Sequence, residues 1–256
     1  MLEFYAKEFV HLSVLLEDIR LNIDNLGVQQ IKEVSPFYRG VLHKMREHCS
    51  NIGLTYSIKG IDRISTKLIE EQILSTEIKH DLRSLRERVF DELDNNFFLV
   101  IPRTKAQYYH FTHPLFDVAI SKAFPDSWDD VWAAGRCFAL DEWTACVFHL
   151  MRVAEHGLRS LADRIGVTFA SPPELENWKN IIDLIEKKIK ELEALPKSVK
   201  KSEDLKFYSD AAVQFRYFKD AWRNHVSHSR ENYDERKASS VLDHVLEFMR
   251  ELASRP

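Results

Sequence analysis

Hydrophobic residues recur at steps of three and four along much of the chain, which is the spacing of an amphipathic helix. The first such stretch covers residues 2–26 and the next covers 37–49, with Pro36 expected to interrupt the helix between them. A third stretch, 62–93, predicts one long helix whose other faces carry charges of both signs, as a solvated surface does. We therefore expect the N-terminal region to be helical.

The pattern changes between residues 96 and 127. A short apolar run at 97–101 predicts a brief strand or extended segment. Three prolines and several aromatic residues follow it, and this aromatic content is too high for a flexible linker. We expect 96–127 to be an ordered connector between an N-terminal helical region, 1–95, and a C-terminal domain, 128–256.

Helical patterns resume after the connector. Gly135 and Gly157 are the weak points of the first helix, and Gly166 stands where a C-terminal cap belongs. Helices are predicted at 128–165, 171–195, 203–228 and 234–253. The expected fold is all-α, with a four-helix up-and-down bundle as the C-terminal domain.

Composition agrees with a helical fold. The 256 residues include only 7 Gly and 8 Pro, while 45% are hydrophobic, which is too many for a disordered chain. The net charge of −4 excludes the strongly basic surface of a protein that coats nucleic acid without regard to sequence. A local basic site remains compatible with that charge.

Cysteine usage and hydropathy predict a cytoplasmic protein. Of the three cysteines, Cys137 and Cys146 fall in one predicted helix about 13 Å apart, too far to form a disulfide. Reduced thiols are expected in the cytoplasm. The N-terminus lacks the pattern of a signal peptide, and no apolar run is long enough to cross a membrane.

Motifs for several common chemistries are absent from the sequence. It has no glycine-rich phosphate loop, no dinucleotide fingerprint, no HExxH, no Cys-x-x-Cys and no Gly-x-Ser-x-Gly. Two histidine pairs, His110/His113 and His225/His228, have a spacing that could share a metal, but neither has an obvious third ligand. We expect no metal and no cofactor, and we interpret these histidines as packed or surface residues.

The segment 216–230 is the strongest candidate for a functional site, because basic side chains and imidazoles outnumber acidic groups there. Arg223, Asn224 and His228 are its candidate catalytic residues, with His225 in a supporting position. Arg223 and His228 would point about 140° apart on an uninterrupted helix. They converge only if the helix loosens at 226–229 or if a twofold-related copy supplies the second residue.

An arginine and a histidine together can cleave RNA without a metal. The guanidinium of Arg223 matches phosphate oxygens and stabilises charge that develops on phosphorus. The imidazole of His228 can take a proton from a ribose 2′-hydroxyl or give one to a leaving 5′-oxygen. Asn224 would orient the histidine or donate to the phosphate.

The helix upstream offers Glu155 and Arg152 as supporting residues, in a polar stripe that continues to Arg159. Two interpretations stay open. Either Glu155 or Arg152 lies beside the Arg223/His228 pair, or these charges form ion pairs within their own helix or with Asp220.

Residues 128–253 resemble the HEPN superfamily, whose ribonucleases carry an Arg-x4–6-His motif. Arg223 and His228 match that motif, and Asn224 supplies the polar residue that commonly follows the arginine. The stretches 146–162 and 212–225 are similar to an uncharacterised bacterial family that carries this domain, here with an additional N-terminal helical region.

This resemblance implies a metal-independent endoribonuclease that acts on RNA as a homodimer, with its Arg/His pairs meeting across a twofold axis. It also implies a toxin or an anti-phage or stress effector, with an antitoxin or defence-system protein as partner. Some superfamily members have lost catalysis. The alternatives are therefore an inactive module that binds RNA, a nucleotide or a protein, and a purely structural helical dimer.

Overall fold

The computed structural model describes seven stretches of the chain: 6–70, 74–96, 100–113, 116–172, 175–196, 198–227 and 232–254. All regular secondary structure within these stretches is helical, which confirms an all-α fold for the described part of the chain. Of the predicted strand, residues 97–99 lie outside the described residues, and Val100 and Ile101 belong to no regular element.

The chain divides into two compact units, Met1–Leu99 and Val100–Pro256. Residues 100–127, most of the predicted connector, thus belong to the second unit. The boundary falls within the apolar run 97–101 that separates the two helical patterns.

The described residues of the first unit form four α-helices: α1 Ala6–Asn22, α2 Val28–Asn51, α3 Thr55–Lys67 and α4 Ser75–Leu93. A short 3₁₀ turn, Ile23–Asn25, follows α1. The apolar positions that recur along α1, including Phe9, Leu12 and Ile19, are buried in a core shared with the other three helices. The hydrophobic spacing therefore identified the buried face of α1.

The predicted break at Pro36 is wrong, because α2 runs through this residue. Proline removes one helical hydrogen bond and crowds the preceding turn, at a cost of about 3 kcal/mol. Just before it, the Ser35 hydroxyl donates to the Ile31 carbonyl at 2.7 Å. α2 buries Ile31, Tyr38 and Leu42 along one face, and the burial of that face compensates for the proline.

The single helix predicted over 62–93 is also wrong, because the chain forms α3 and α4 instead. These two helices pack against each other, and Asp81 of α4 forms salt bridges with two cations of α3. Arg63 Nη2 lies 2.5 Å from Asp81 Oδ1, and Lys67 Nζ lies 2.9 Å from Oδ2. A continuous helix could not bring these partners together.

All regular secondary structure in the described residues of the second unit is also helical. Its helices are α5 Ala106–Tyr109, α6 Val118–Ala123, α7 Trp128–Ala139, α8 Trp143–Arg164, α9 Trp178–Glu193, α10 Val199–Phe218, α11 Asn224–Ser227 and α12 Glu235–Ser254. A 3₁₀ turn, Pro125–Ser127, precedes α7, and a π-helical segment, Lys219–Arg223, joins α10 to α11. One hydrophobic core includes residues from α6 to α10 and from α12.

The helix predicted over 128–165 is divided into α7 and α8, so that prediction is wrong in its middle. The turn between them contains Asp141 at φ +65°, a conformation that aspartate tolerates better than most residues. Cys137 therefore lies on α7 and Cys146 on α8, not on one helix. Both are free thiols, as is Cys49 in the first unit.

Gly135 is a packing position and not a weak point of its helix. A Cβ at this position would stand 2.8 Å from the backbone oxygen of Tyr108, so only glycine lets the connector approach α7 this closely. Phe111 of the connector stacks on Trp132 of α7, with ring centroids 4.5 Å apart. The connector thus packs directly against α7.

Helix ends follow the predicted signals in part. Gly166 takes φ +76° directly after α8, as predicted for a C-terminal cap. The predicted start at residue 171 is wrong, because α9 begins at Trp178, where the Asn177 side chain accepts a hydrogen bond from the Asn180 N–H at 3.0 Å. α12 matches the predicted 234–253 to within one residue at each end.

Candidate functional site

A π-helical segment, Lys219–Arg223, ends at the first candidate residue, Arg223, and directly precedes Asn224. Such segments insert one residue into a helix and are frequent at functional sites. The expected loosening at 226–229 is not found in its described part, since α11 continues to Ser227; the loosening lies before Arg223 instead. It therefore sets the direction of Arg223 relative to α10, whereas His228 lies outside the described residues.

Aromatic packing holds the π-helical segment in place. The Trp222 ring stacks on Phe218, with centroids 5.2 Å apart and planes 19° apart. The centroid of the Trp222 ring also lies 5.1 Å from that of Tyr217 and 5.9 Å from that of His244 on α12. Because Phe218 is buried in the core, this stack fixes the residue immediately before Arg223.

Glu155 of α8 faces this segment. The Trp178 indole N–H of α9 donates to Glu155 Oε2 at 2.9 Å, and Arg159 Nη2 donates to Oε1 at 2.5 Å. Burial raises the pKa of the Glu155 carboxyl, but these two hydrogen bonds and the charges of Arg159 and Arg223 outweigh it and hold the pKa below its usual value. Glu155 thus lies near Arg223 and also pairs with Arg159 within its own helix.

Arg223, Asn224 and His225 are partly exposed. None of the three side chains makes a hydrogen bond to another described residue, so their polar groups remain available to a ligand. The guanidinium of Arg223 lies near the Glu155 carboxylate, and the amide and the imidazole follow it directly in the chain. Such groups can hold an anion and move protons.

Arg152 lies elsewhere. Its Nε donates to Asp130 Oδ1 of α7 at 2.7 Å, and the same oxygen lies 2.9 Å from His149 Nδ1. Asp130 is buried, which raises its pKa, but the hydrogen bonds from Arg152 and His149 outweigh burial and lower the pKa overall. Sequence reasoning missed both Asp130 and His149, because a single helix over 128–165 would place them about 28 Å apart.

Acidic partners neutralise two of the basic side chains in the described part of the predicted basic segment. Arg216 Nη2 lies 2.5 Å from Glu186 Oε1 and 3.4 Å from Asp183 Oδ1, both on α9. Lys219 Nζ lies 2.6 Å from Asp220 Oδ1. Asp220 therefore pairs with its neighbour and not with the stripe on α8. Arg216 and Lys219 are thus paired with carboxylates. Among the described lysine and arginine side chains of this segment, Arg223 is the one that forms no direct salt bridge.

Within the described residues, no group of three histidine, cysteine or carboxylate side chains could hold a metal ion. Of the first predicted histidine pair, His113 stacks on Tyr108 with ring centroids 4.5 Å apart. Burial lowers the pKa of His113, although Asp243 opposes this in part. The second pair includes His228 and so extends beyond the described residues.

No helix of the described chain combines the length and the apolar character needed to cross a membrane. Comparison of the chain with protein-family models, with curated proteins and with solved structures finds no match. A functional assignment for this chain therefore depends on its own residues and their geometry.

Proposed function

We propose that the protein is a metal-independent endoribonuclease of the HEPN type that cleaves RNA by attack of a ribose 2′-hydroxyl. The observation that supports this proposal is the π-helical segment Lys219–Arg223, which ends at Arg223 close to the charge of Glu155. Asn224 and His225 begin the next helical turn, and none of the three side chains is hydrogen bonded within the described chain.

Each residue has a role in the proposed reaction. Arg223 binds the phosphate and stabilises charge in the transition state, as fixed cationic donors do. Glu155 places a negative charge near the guanidinium, and Asn224 orients the phosphate or an imidazole. His228 transfers a proton, and His225 supports the site from the same turn.

The proposal includes an assembly. In a HEPN-like up-and-down arrangement, α8, α9, α10 and α12 would form the bundle, and the two copies of a homodimer would bring their Arg223 and His228 residues together. A cytoplasmic toxin or an anti-phage or stress effector is the expected biological role, with an antitoxin or defence-system protein as partner.

Cleavage of single-stranded RNA in EDTA tests the proposal. We expect wild type to leave 2′,3′-cyclic phosphate ends, and Arg223→Ala and His228→Ala to reduce the rate by about 100-fold or more. Lys200→Ala, an exposed change on α10 away from the site, serves as the control. Cleavage that needs a divalent metal, or that survives both site substitutions, would contradict the proposal.

One observation favours a second candidate, an inactive HEPN module that binds RNA, a nucleotide or a partner protein. Arg216 and Lys219 are paired with carboxylates, so little positive charge remains for phosphate binding apart from Arg223. If wild type does not cleave RNA but retards labelled RNA in a gel, and Arg223→Ala removes this retardation, the second candidate replaces the first.

A further inference from the structure

One histidine of α8, His149, has the geometry of a general base. His149 Nδ1 lies 2.9 Å from Asp130 Oδ1, and Asp130 is only 7% exposed. An ionised carboxylate has no proton to give, so Nδ1 carries the hydrogen and donates it. Nε2 is then the acceptor nitrogen of the ring, and within the described chain no polar group is hydrogen bonded to it.

Arg152 strengthens this arrangement. Its Nε–H donates to the same Asp130 oxygen at 2.7 Å, while its side chain remains 56% exposed. The two hydrogen bonds hold the carboxylate, and the carboxylate holds the imidazole. The outer part of the guanidinium is open to solvent, where it can bind an anion.

An exposed aromatic ring completes the surface. Phe148 is 44% exposed, and its ring lies 5.7 Å from the ring of His149 at an angle of 80°. Phe148 and Arg152 are four residues apart and therefore share one face of α8. A ring that can stack on a base, a cation for a phosphate and an acceptor nitrogen thus occur together, and these are the features of a single-stranded RNA subsite.

This surface continues toward the site described above. Glu155, which lies near the charge of Arg223, is one helical turn beyond Arg152, and its carboxylate contributes to the raised pKa of Arg152 after the larger effect of Asp130. From His149 to Glu155 the helix rises about 9 Å. One strand of RNA could contact both positions.

We propose that His149, oriented by Asp130, is the general base of RNA cleavage on this face of α8, with Arg152 as a phosphate ligand and Phe148 as a stacking platform for a base. This inference rests on the proposed ribonuclease function. It assigns the proton abstraction from the 2′-hydroxyl to His149.

The proposed step balances as follows. Nε2 of His149 takes the proton of a ribose 2′-hydroxyl, the 2′-oxygen forms a bond to phosphorus, and the bond from phosphorus to the 5′-oxygen breaks. The leaving 5′-oxygen takes a proton from water. The products are a 2′,3′-cyclic phosphate and a 5′-hydroxyl, and His149 is restored when Nε2 returns its proton to the solvent. Asp130 stabilises the imidazolium in between.

The alternative is that Asp130, His149 and Arg152 only hold α7 and α8 together. His149→Asn separates the two roles, because the amide can donate to Asp130 from near the position of Nδ1 but has no counterpart of Nε2. His80→Asn, at an exposed histidine of α4 in the first unit, is the matched control.

The test measures cleavage of a single-stranded RNA in EDTA and binding of its 2′-O-methyl analogue, which cannot react. We expect His149→Asn to lower the cleavage rate at saturating RNA by about 100-fold while binding of the analogue and the melting temperature stay close to wild type. His80→Asn is expected to match wild type. Phe148→Ala, an exposed change that leaves the core intact, should weaken binding of the analogue about 10-fold.

Three results would overturn the inference. If His149→Asn cleaves at the wild-type rate while Arg223→Ala does not, His149 is not the base and the ribonuclease proposal stands. If wild type itself does not cleave RNA, both proposals fail. If His149→Asn does not fold, the decision passes to Phe148→Ala, and unchanged binding of the analogue then excludes the subsite.

Discussion

Two helical hairpins of this protein, α3/α4 in the first unit and α7/α8 in the second, are each joined by a buried aspartate that pairs with two basic side chains. Asp81 is 5% exposed and binds Arg63 and Lys67 of the neighbouring helix. Asp130 is 7% exposed and binds His149 and Arg152 of its neighbour. The architecture of the two clusters is therefore nearly the same.

The difference lies in one partner. Arginine and lysine only donate hydrogen bonds, so the cluster around Asp81 can do no more than hold its helices together. Imidazole donates through one nitrogen and accepts through the other, so the cluster around Asp130 also presents a fixed acceptor to solvent. We call each aspartate with its two basic partners a clasp. The clasp around Asp130 contains a histidine where the clasp around Asp81 contains a second cation, and this histidine makes it a candidate catalytic group.

The largest expected effect is on RNA cleavage. In Asp130→Asn the new amide can donate to Nδ1 of His149, which favours the tautomer that lacks an acceptor at Nε2. We expect the cleavage rate in EDTA to fall by about 100-fold, whereas Asp81→Asn leaves it unchanged. Equal rates for the two variants would remove the functional difference between the hairpins.

The next effect is on stability. Asp81→Ala and Asp130→Ala each leave two basic groups without their carboxylate, and because these groups are partly exposed we expect a loss of about 1–3 kcal/mol in the free energy of unfolding. All five tryptophans lie in the second unit. Asp130→Ala should therefore shift the urea transition seen by tryptophan fluorescence, and Asp81→Ala only the transition seen by circular dichroism.

A fluorescence transition that moves equally in both variants would contradict this prediction. It would mean that the two units unfold as one cooperative body and that the two clasps cannot be compared unit by unit.

The stabilisation from the two clasps depends on pH in different ranges: that from Asp130 is lost at low pH and that from Lys67 at high pH. The net lowering of the Asp130 pKa means that its stabilisation is complete above about pH 4 and is lost as the pH falls through the lower pKa of the folded state. Interactions with Asp81 and Glu77 raise the pKa of Lys67, although burial opposes them. The contribution of Lys67 to the stability of the fold is therefore complete below about pH 10 and is lost as the pH rises further.

Urea midpoints measure this prediction. The difference between wild type and Asp130→Asn should shrink between pH 6 and pH 3, and the difference between wild type and Lys67→Met should shrink between pH 9 and pH 12. A difference that stays constant over either range would show that the corresponding pair is not the source of the stabilisation.

The smallest effect concerns an aspartate without such a clasp. Burial and the charge of Glu247 raise the pKa of Asp243, while His113 and His244 oppose them in part. A raised carboxyl pKa makes the folded state less stable once the group ionises, so Asp243→Asn should raise the melting temperature by about 1–2 °C near pH 7. The gain should vanish below about pH 4, and a lower melting temperature at pH 7 would be the opposite result.

The sequence predicted which faces of the helices are buried far better than where the helices turn. The cap at Gly166 and the ends of α12 agree with the pattern, because they depend on local residues. The breaks after Lys67 and Ala139 contain neither glycine nor proline, and only packing of the hairpins requires them. A periodic apolar pattern looks the same on one long helix and on two antiparallel ones.

The same limit applies to the candidate site. Arg223 and Glu155 were candidates from residue type and spacing, and the structure places them near each other. Asp130 and His149 could not be paired without the turn between α7 and α8. The basic character of 216–230 was overestimated, because the carboxylates that pair with Arg216 come from α9, distant in the sequence.

The hairpin of α7 and α8 has a consequence for how the molecule assembles. Asp130 and His149 are only 19 residues apart in the chain, so their contact closes a short loop and can form early in folding. The approach of Arg223 to Glu155 has to wait until α9 and α10 have returned to α8. During synthesis the imidazole would thus be oriented before the arginine arrives, so the proposed RNA-cleaving surface would become complete only when nearly the whole second unit has emerged from the ribosome.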